Sequence, residues 1–142
     1  MRCLLDVNVL VGLSFPEHTL HARAYGWFHK LTARPWASCP LTQAGYLRVA
    51  YQLLGGTHAS LAQALGGLEQ TCGKSDHVFW SLDVDLTELS SREGSKLIGS
   101  GQVTDMQLLM LAYSKQAQLV TADAGIRELA RGTRFEDSLL VL

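Results

Sequence analysis

The sequence predicts an α/β fold in which a parallel sheet is covered by helices on both faces. Short apolar runs alternate along the chain with segments whose apolar residues recur at helical spacing, a pattern typical of such sheets. Hydrophobic residues make up 47% of the 142 residues and charged residues 18%, which is sufficient for one packed core. Because neither an internal repeat nor a linker interrupts the pattern, we expect a single domain over residues 1–142.

The N-terminal part of the chain predicts two short strands separated by two helices. Residues 2–5 form an apolar strand-like run, and the apolar segment 7–13 indicates a buried helix that ends before Pro16. Residues 17–32 carry apolar side chains at helical spacing and predict an amphipathic helix. The second strand is expected at 35–39.

A helical hairpin is predicted next. Pro40 suits the first turn of a helix that continues to Leu54, where a pair of glycines ends it. Thr57 is a suitable N-cap for a second helix that continues through Leu68. No Asp, Glu, Lys or Arg occurs between Val49 and Leu68, so we expect this hairpin to bury against a partner chain as well as its own core.

The second half of the chain predicts three strands and three helices. In chain order the segments are a strand at 77–82, a helix at 87–93, a loop at 94–101, a helix at 103–115, a strand at 118–121, a helix at 124–131 and a strand at 138–141. We expect 77–82 at an edge of the sheet and 118–121 in its centre. The glycine-rich loop 94–101 is predicted to be mobile, and Thr104 is predicted to be the N-cap of the helix that follows.

Three aspartates lie where strands of the predicted sheet end or a helix begins. Asp6 and Asp123 each follow a strand, and Asp105 lies in the first turn of a helix. Because ligands bind at the carboxyl ends of strands in open α/β sheets, we expect these acids to converge there. Their mutual repulsion requires a hard cation such as Mg²⁺ or Mn²⁺, with Asn8 and Thr121 as outer hydrogen-bonding partners. This constellation favours metal-assisted phosphodiester chemistry.

Each of these aspartates also has a simpler explanation as a helix cap. Asp6 and Asp123 directly precede predicted helices, and Asp105 lies in a first turn, where free N–H groups and the helix dipole favour a carboxylate. Asp83 and Asp85 have the context of an exposed edge strand, so we interpret them as solvated surface.

The charges are unevenly distributed along the chain. A net charge of −1 does not by itself indicate a nucleic-acid-binding protein. Residues 1–50 nevertheless contain five bases against two acids, and three arginines follow Gly125, which allows for a basic face. Arg48, Arg127 and Arg131 are therefore candidates for contacting phosphates, although ordinary solubilising charge is the simpler explanation for each one singly.

The cysteines and the hydropathy pattern indicate a cellular compartment. Cys3, Cys39 and Cys72 are an odd number without CxxC spacing, which indicates a reducing environment and no disulfide framework. No stretch approaches the roughly 20 apolar residues of a membrane span. Asp6 interrupts the pattern of a signal peptide, so we expect a cytoplasmic protein without a membrane segment.

Four stretches of the chain form a recognisable set, namely 4–10, 39–49, 103–109 and 119–123. Together they resemble the PIN-domain family, and more narrowly the VapC-type toxin ribonucleases of type II toxin–antitoxin systems. The resemblance covers essentially the whole chain. It implies a three-layer α/β/α sandwich with a mostly parallel central sheet and Mg²⁺- or Mn²⁺-dependent hydrolysis of RNA that leaves a 5′-phosphate and a 3′-hydroxyl. It also implies a homodimer and inhibition by a small cognate antitoxin.

The site implied by this resemblance uses residues already singled out, with one departure. Asp6, Asp105 and Asp123 match the acidic positions and would hold the metal directly or through water. The family commonly has a glutamate in the helix after the second strand, where this chain has Gln43. An amide oxygen can still hold a metal-bound water, but the site then has about three negative charges instead of four, which weakens cation binding.

Other classes of protein remain as alternatives. A catalytically inactive PIN scaffold that binds RNA or protein is supported by Gln43, and an interaction module is supported by the uncharged hairpin. Haloacid dehalogenase-type phosphatases and receiver domains also place an aspartate after the first strand, but a phosphatase requires Asp where Asn8 stands. A metal-free ribonuclease with paired histidines is a weaker interpretation, because His18, His21 and His29 lie on a predicted amphipathic helix and its approach, without an acid partner in the matching stretches.

Overall fold

A five-stranded parallel sheet forms the centre of the protein. The computed structural model describes residues 2–30 and 35–142. Within these residues the strands are β1 (Cys3–Leu5), β2 (Trp36–Ser38), β3 (His77–Phe79), β4 (Gln118–Thr121) and β5 (Leu139–Val141). Their order across the sheet is β3-β2-β1-β4-β5, and every adjacent pair is parallel. The predicted parallel sheet is therefore confirmed, with β3 at an edge and β4 in the interior as expected.

Helices cover both faces of the sheet. In the described part of the chain they are α1 (Val7–Ser14), α2 (His21–Lys30), α3 (Pro40–Leu53), α4 (His58–Cys72), α5 (Ser91–Gly94), α6 (Gln102–Ser114) and α7 (Ile126–Ala130). Leu4 and Leu119 pack into a core with α6 and α7, whereas Leu5 and Val120 pack into a core under α1, α3 and α4. This alternation follows from the two-residue period of a strand, and it produces the predicted three-layer α/β/α sandwich.

The α3–α4 hairpin has the predicted caps. Thr57 Oγ1 accepts a hydrogen bond of 3.2 Å from the Ser60 N–H, and Gly55 (φ 110°) and Gly56 (φ 71°) make the turn in left-handed conformations that favour glycine. Within the described residues, no helix combines the length and the apolarity needed to cross a bilayer.

Several predicted helix boundaries differ from those in the structure. Helix α2 begins at His21 rather than at residue 17, because the His18 side chain accepts from the Leu20 N–H in a preceding turn; its predicted end at residues 31–32 lies outside the described residues. The predicted N-cap at Thr104 is wrong, because α6 already begins at Gln102 with Gly101 as its N-cap. Asp123 delays α7 to Ile126 by accepting from the Gly125 N–H.

The predicted helix 87–93 is divided into two short elements. Leu86–Glu88 is a 3₁₀ turn, and α5 follows after an interruption at Leu89 and Ser90. Asp85 caps the 3₁₀ turn through the Thr87 N–H, and Ser90 caps α5 through the Glu93 N–H. Two competing N-caps within six positions therefore prevent one continuous helix.

Candidate metal centre

Asp6 lies at the end of β1 and begins α1. Its Oδ1 accepts a hydrogen bond of 2.7 Å from the Val7 N–H, and its Oδ2 accepts one of 2.7 Å from the Thr121 hydroxyl on β4. The residue is only 8% exposed. The N-cap interpretation of Asp6 is confirmed, and the bond to Thr121 also holds this carboxylate against the neighbouring strand.

Asn8 and Thr121 join the carboxyl ends of β1 and β4. The Asn8 amide donates to Thr121 Oγ1 at 3.1 Å, and its Oδ1 accepts from the Ala122 N–H at 3.1 Å. Thr121 Oγ1 also accepts from the Asp123 N–H at 3.1 Å. Because the Thr121 hydroxyl donates to Asp6 as well, one oxygen sets the position of the Asp6 side chain and of the Asp123 backbone.

Asp105 approaches this junction from the first turn of α6. Burial, followed by the negative charges of Asp6 and Asp123, raises its pKa from 3.8 to about 6. The pKa of Asp6 is raised by burial; hydrogen bonds from Thr121 and Val7 oppose this effect, and Asp123 adds to it. The fold therefore brings three acids separated by up to 117 positions into electrostatic range of one another.

These charges have no basic partner among the described residues. The ion pairs in that part of the chain are Arg131–Glu128 at 2.9 Å and Arg134–Glu93 at 3.0 Å, and neither involves the three acids. Oxygen donors whose mutual repulsion is not relieved by Lys or Arg are the ligand chemistry that a hard divalent cation prefers. The donor set therefore fits Mg²⁺ or Mn²⁺.

The side chains do not surround one point as they stand. In residues 2–30 and 35–142, no three His, Cys, Asp or Glu side chains come close enough together to hold a metal ion. Asp123 is exposed and turns Oδ1 towards the Gly125 N–H at 2.8 Å, whereas both oxygens of Asp6 accept hydrogen bonds. The three acids thus share an electrostatic environment without sharing a closed coordination sphere, and their role as metal ligands stays a prediction.

Gln43 lies near the start of α3 and is turned towards β2. Its Nε2 donates to the Ser38 hydroxyl at 3.0 Å, and it also lies near the Cys72 thiol. Within the described chain Gln43 makes no hydrogen bond to Asp6, Asp105 or Asp123. Its participation in a metal site therefore also stays a prediction.

Sequence reasoning missed the polar side chains behind Gln43. Ser38 is fully buried, and its hydroxyl lies 2.8 Å from His77 Nε2 on β3. A single serine in the otherwise apolar run of β2 was the available signal. The partner was not visible in the sequence, because His77 lies 39 positions away and meets Ser38 only through strand pairing.

The remaining candidates lie on the surface. Asp83 and Asp85 are exposed, as predicted, and so are Arg48, Arg127 and Arg131. Cys3 and Cys39 are buried, and none of the three cysteines forms a disulfide.

Curated sequence relatives cover nearly the whole chain. Ribonuclease VapC44 of Mycobacterium tuberculosis is 39% identical over 126 residues, which are 89% of this chain and 89% of the relative. Ribonuclease VapC39 of the same organism is 35% identical over 131 residues, covering 92% and 94% of the two chains. Ribonuclease VapC38 is 38% identical over 129 residues, covering 90% and 89%. No protein-family model matches the chain.

A solved structure has the same fold. The crystal structure of Mycobacterium tuberculosis VapC20, a sarcin–ricin loop cleaving toxin, superposes with a TM-score of 0.63 over 92% of this chain and 95% of that chain. Its sequence is 10% identical, so the match concerns the fold alone. The identities of 33–39% to the curated relatives carry the assignment. Its sequence relatives, together with its α/β/α architecture, show that the chain belongs to the VapC ribonuclease family.

Proposed function

We propose that this protein is the toxin component of a type II toxin–antitoxin system and acts as an Mg²⁺- or Mn²⁺-dependent endoribonuclease. One observation carries the proposal: in a chain of the VapC family, Asp6, Asp105 and Asp123 interact electrostatically at the carboxyl ends of β1 and β4 without a basic partner among the described residues. That arrangement attracts a cation, and the similarity to ribonucleases identifies the phosphodiester as the bond on which such an ion would act.

The three acids and their hydrogen-bonding partners would have different roles, which follow from their positions. Asp6 and Asp123 would hold the ion from the ends of β1 and β4, and Asp105 would hold it from α6. When bound, the ion supplies an acidified water and neutralises charge on the scissile phosphate. Asn8 and Thr121 keep the two strand ends in register, so that the carboxylates are positioned before substrate arrives. Asp105 must release its proton to take part, so metal binding competes with protonation near pH 6.

An RNA cleavage assay tests this proposal. We expect wild-type protein to cut RNA in Mg²⁺ or Mn²⁺, to stop in EDTA and to leave 5′-phosphate ends that a 5′-phosphate-dependent exonuclease can degrade. Asp6→Asn should abolish cleavage, whereas the exposed Asp83→Asn should retain it. Undiminished cleavage in EDTA would exclude the metal mechanism.

A second candidate function is an inactive PIN scaffold that binds RNA or protein. The open arrangement of the three acids and the inward hydrogen bond of Gln43 favour it. Expression in a bacterial host separates the two candidates: a toxin arrests growth unless the small cognate antitoxin is co-expressed, and Asp6→Asn relieves the arrest. High yields of wild-type protein without growth arrest would favour the scaffold.

We also propose that the α3–α4 hairpin supports a homodimer. Val49, Leu53, Leu61 and Leu65 are 39–51% exposed, and no Asp, Glu, Lys or Arg occurs between Val49 and Leu68. A second copy fits this surface because an uncharged apolar face meets itself without repulsion.

A further inference from the structure

A polar cluster interrupts the apolar layer behind Gln43. Ser38 is 0% exposed, and three side chains reach its hydroxyl: His77 Nε2 at 2.8 Å, Gln43 Nε2 at 3.0 Å and Cys72 Sγ at 4.0 Å. The Trp36 ring covers the imidazole of His77 with a centroid distance of 4.5 Å. A fully buried serine in this position cannot be reached by a substrate, so the Ser38–His77 pair is not a hydrolytic dyad.

The proton positions in this cluster follow from the hydrogen bonds of Ser38. Burial lowers the pKa of His77, so the imidazole is neutral and carries one proton. Gln43 Nε2 donates to Ser38 Oγ, which leaves the Ser38 proton for His77 Nε2 and assigns the proton of the neutral ring to Nδ1. The Ser38 hydroxyl then donates its single proton to His77 Nε2.

The same hydrogen bond shows the orientation of the Gln43 amide. Its nitrogen faces inward because it donates to Ser38 Oγ, which uses its own proton for His77. In the part of the chain that the structure describes, Asp76 Oδ1 is the one buried side-chain N or O atom without a partner. Gln43 Oε1 makes no hydrogen bond there and is not among the buried atoms without a partner, so it is accessible to solvent. Gln43 lies in the first turn of α3, which follows β2, and β2 is the neighbour of the strand that ends before Asp6.

We propose that Ser38 and His77 are positioning residues that hold the Gln43 amide with its nitrogen inward and its oxygen directed to the candidate metal centre. The metal-facing part of this inference rests on the proposed function, whereas the orientation of the amide does not. We call the chain of hydrogen bonds from His77 through Ser38 to Gln43 the relay. The relay also explains how an amide serves at a position where the family commonly has a carboxylate. An amide provides an oxygen to the site and an N–H to Ser38, and a carboxylate has no N–H to give.

Replacing Gln43 with Glu should therefore change the pKa of His77, although residue 43 reaches His77 only through Ser38. Ser38 would have to donate to the new carboxylate, so His77 Nε2 would have to donate to Ser38. A ring that keeps its Nδ1 proton is then charged, and the nearby carboxylate favours that charge. The titratable neighbours of His77 are Asp76, which favours the charged ring, and Cys72, whose thiol has a pKa raised by burial. Because Asp76 and Cys72 are the same in wild type and in the variant, Gln43→Glu should raise the pKa of His77.

Nuclear magnetic resonance tests the relay on wild-type protein without metal. Long-range ¹H–¹⁵N correlation spectra report the tautomer of His77 directly, and we expect a protonated Nδ1. A protonated Nε2 in the neutral ring would overturn the relay without any mutation. The same spectra recorded as a function of pH on Gln43→Glu should show His77 titrating at higher pH than in wild type, and an unchanged titration would also contradict the relay.

Two variants connect the relay to the site. Ser38→Ala should shift the side-chain amide resonances of Gln43, whereas His58→Ala, at the exposed start of α4, should leave them unchanged. By calorimetry, Ser38→Ala should also weaken Mn²⁺ binding by roughly tenfold, as loss of an outer-shell partner does. If wild type binds Mn²⁺ and Ser38→Ala binds it equally well, the metal-facing part of the inference is wrong. If wild type binds no Mn²⁺, the proposed function fails, and the tautomer still decides the relay.

Discussion

Removing one of the three negative charges should stabilise the metal-free protein. Asp105 is half-buried, and burial together with Asp6 and Asp123 raises its pKa from 3.8 to about 6. The folded state therefore holds this proton more tightly than the unfolded state. Wild-type stability should fall as the pH rises from about 4 through about 6, and the penalty is complete above that window. Asp105→Asn lacks the charge and avoids the penalty.

The size of the effect follows from the pKa shift. A change from 3.8 to about 6 corresponds to about 3 kcal/mol if it is taken in full. Because the side chain is half exposed and salt screens its charge, we reduce this to about 1 kcal/mol. With a urea dependence of about 1.5 kcal/mol per molar, the unfolding midpoint of Asp105→Asn should rise by about 0.7 M.

Urea denaturation in EDTA at about pH 8 and about pH 5 measures this difference. We expect the Asn variant to be more stable at the higher pH and to lose roughly half of that advantage at the lower pH, which lies midway between the pKa values of the unfolded and the folded state. Asp83→Asn, at an exposed position, should change stability by less than about 0.5 kcal/mol. Mg²⁺ should stabilise wild type more than Asp105→Asn. An Asn variant that is less stable than wild type in EDTA at pH 8 would refute the reasoning.

Three further predictions concern other parts of the molecule. Gln43→Glu restores a fourth carboxylate and should tighten Mg²⁺ binding measured by calorimetry; unchanged affinity would place residue 43 outside the site. Gly45→Ala should cost about 1–3 kcal/mol in urea unfolding, because its Cβ would lie 2.5 Å from a valine methyl of α1, whereas Gly66→Ala has open space and should not destabilise α4. Leu53→Lys should convert a dimer to a monomer in sedimentation, whereas Ile98→Lys, at an 87% exposed position, should not; an unchanged mass of the Leu53 variant would exclude the hairpin as the interface.

Much of the fold could be predicted from local pattern. The strands at Cys3–Leu5 and Gln118–Thr121 are short apolar runs, and α3 has proline at its start and glycines after its end. Errors occurred where side chains compete for backbone groups. Asp85, Ser90 and Asp123 each accept from nearby N–H groups, and these local bonds divided or delayed the helices that periodicity predicted.

The sequence by itself determined the architecture and the candidate acids. Apolar periodicity dictates which face of each element is buried. A carboxylate that follows a buried strand of a parallel sheet must lie on the side of the sheet where the carboxyl ends of the strands meet. The four matching stretches also predicted the family that the relatives then established.

Only the tertiary structure decided how the polar side chains meet. The Thr121 hydroxyl reaches Asp6 across 115 positions of chain, and His77 reaches Ser38 across 39, because the parallel pairing of their strands brings them together. The raised pKa of Asp105 likewise depends on burial and on charges from two other elements. Hydrogen-bond direction and electrostatic coupling depend on distance in space, and spacing along the chain carries no information about such distances.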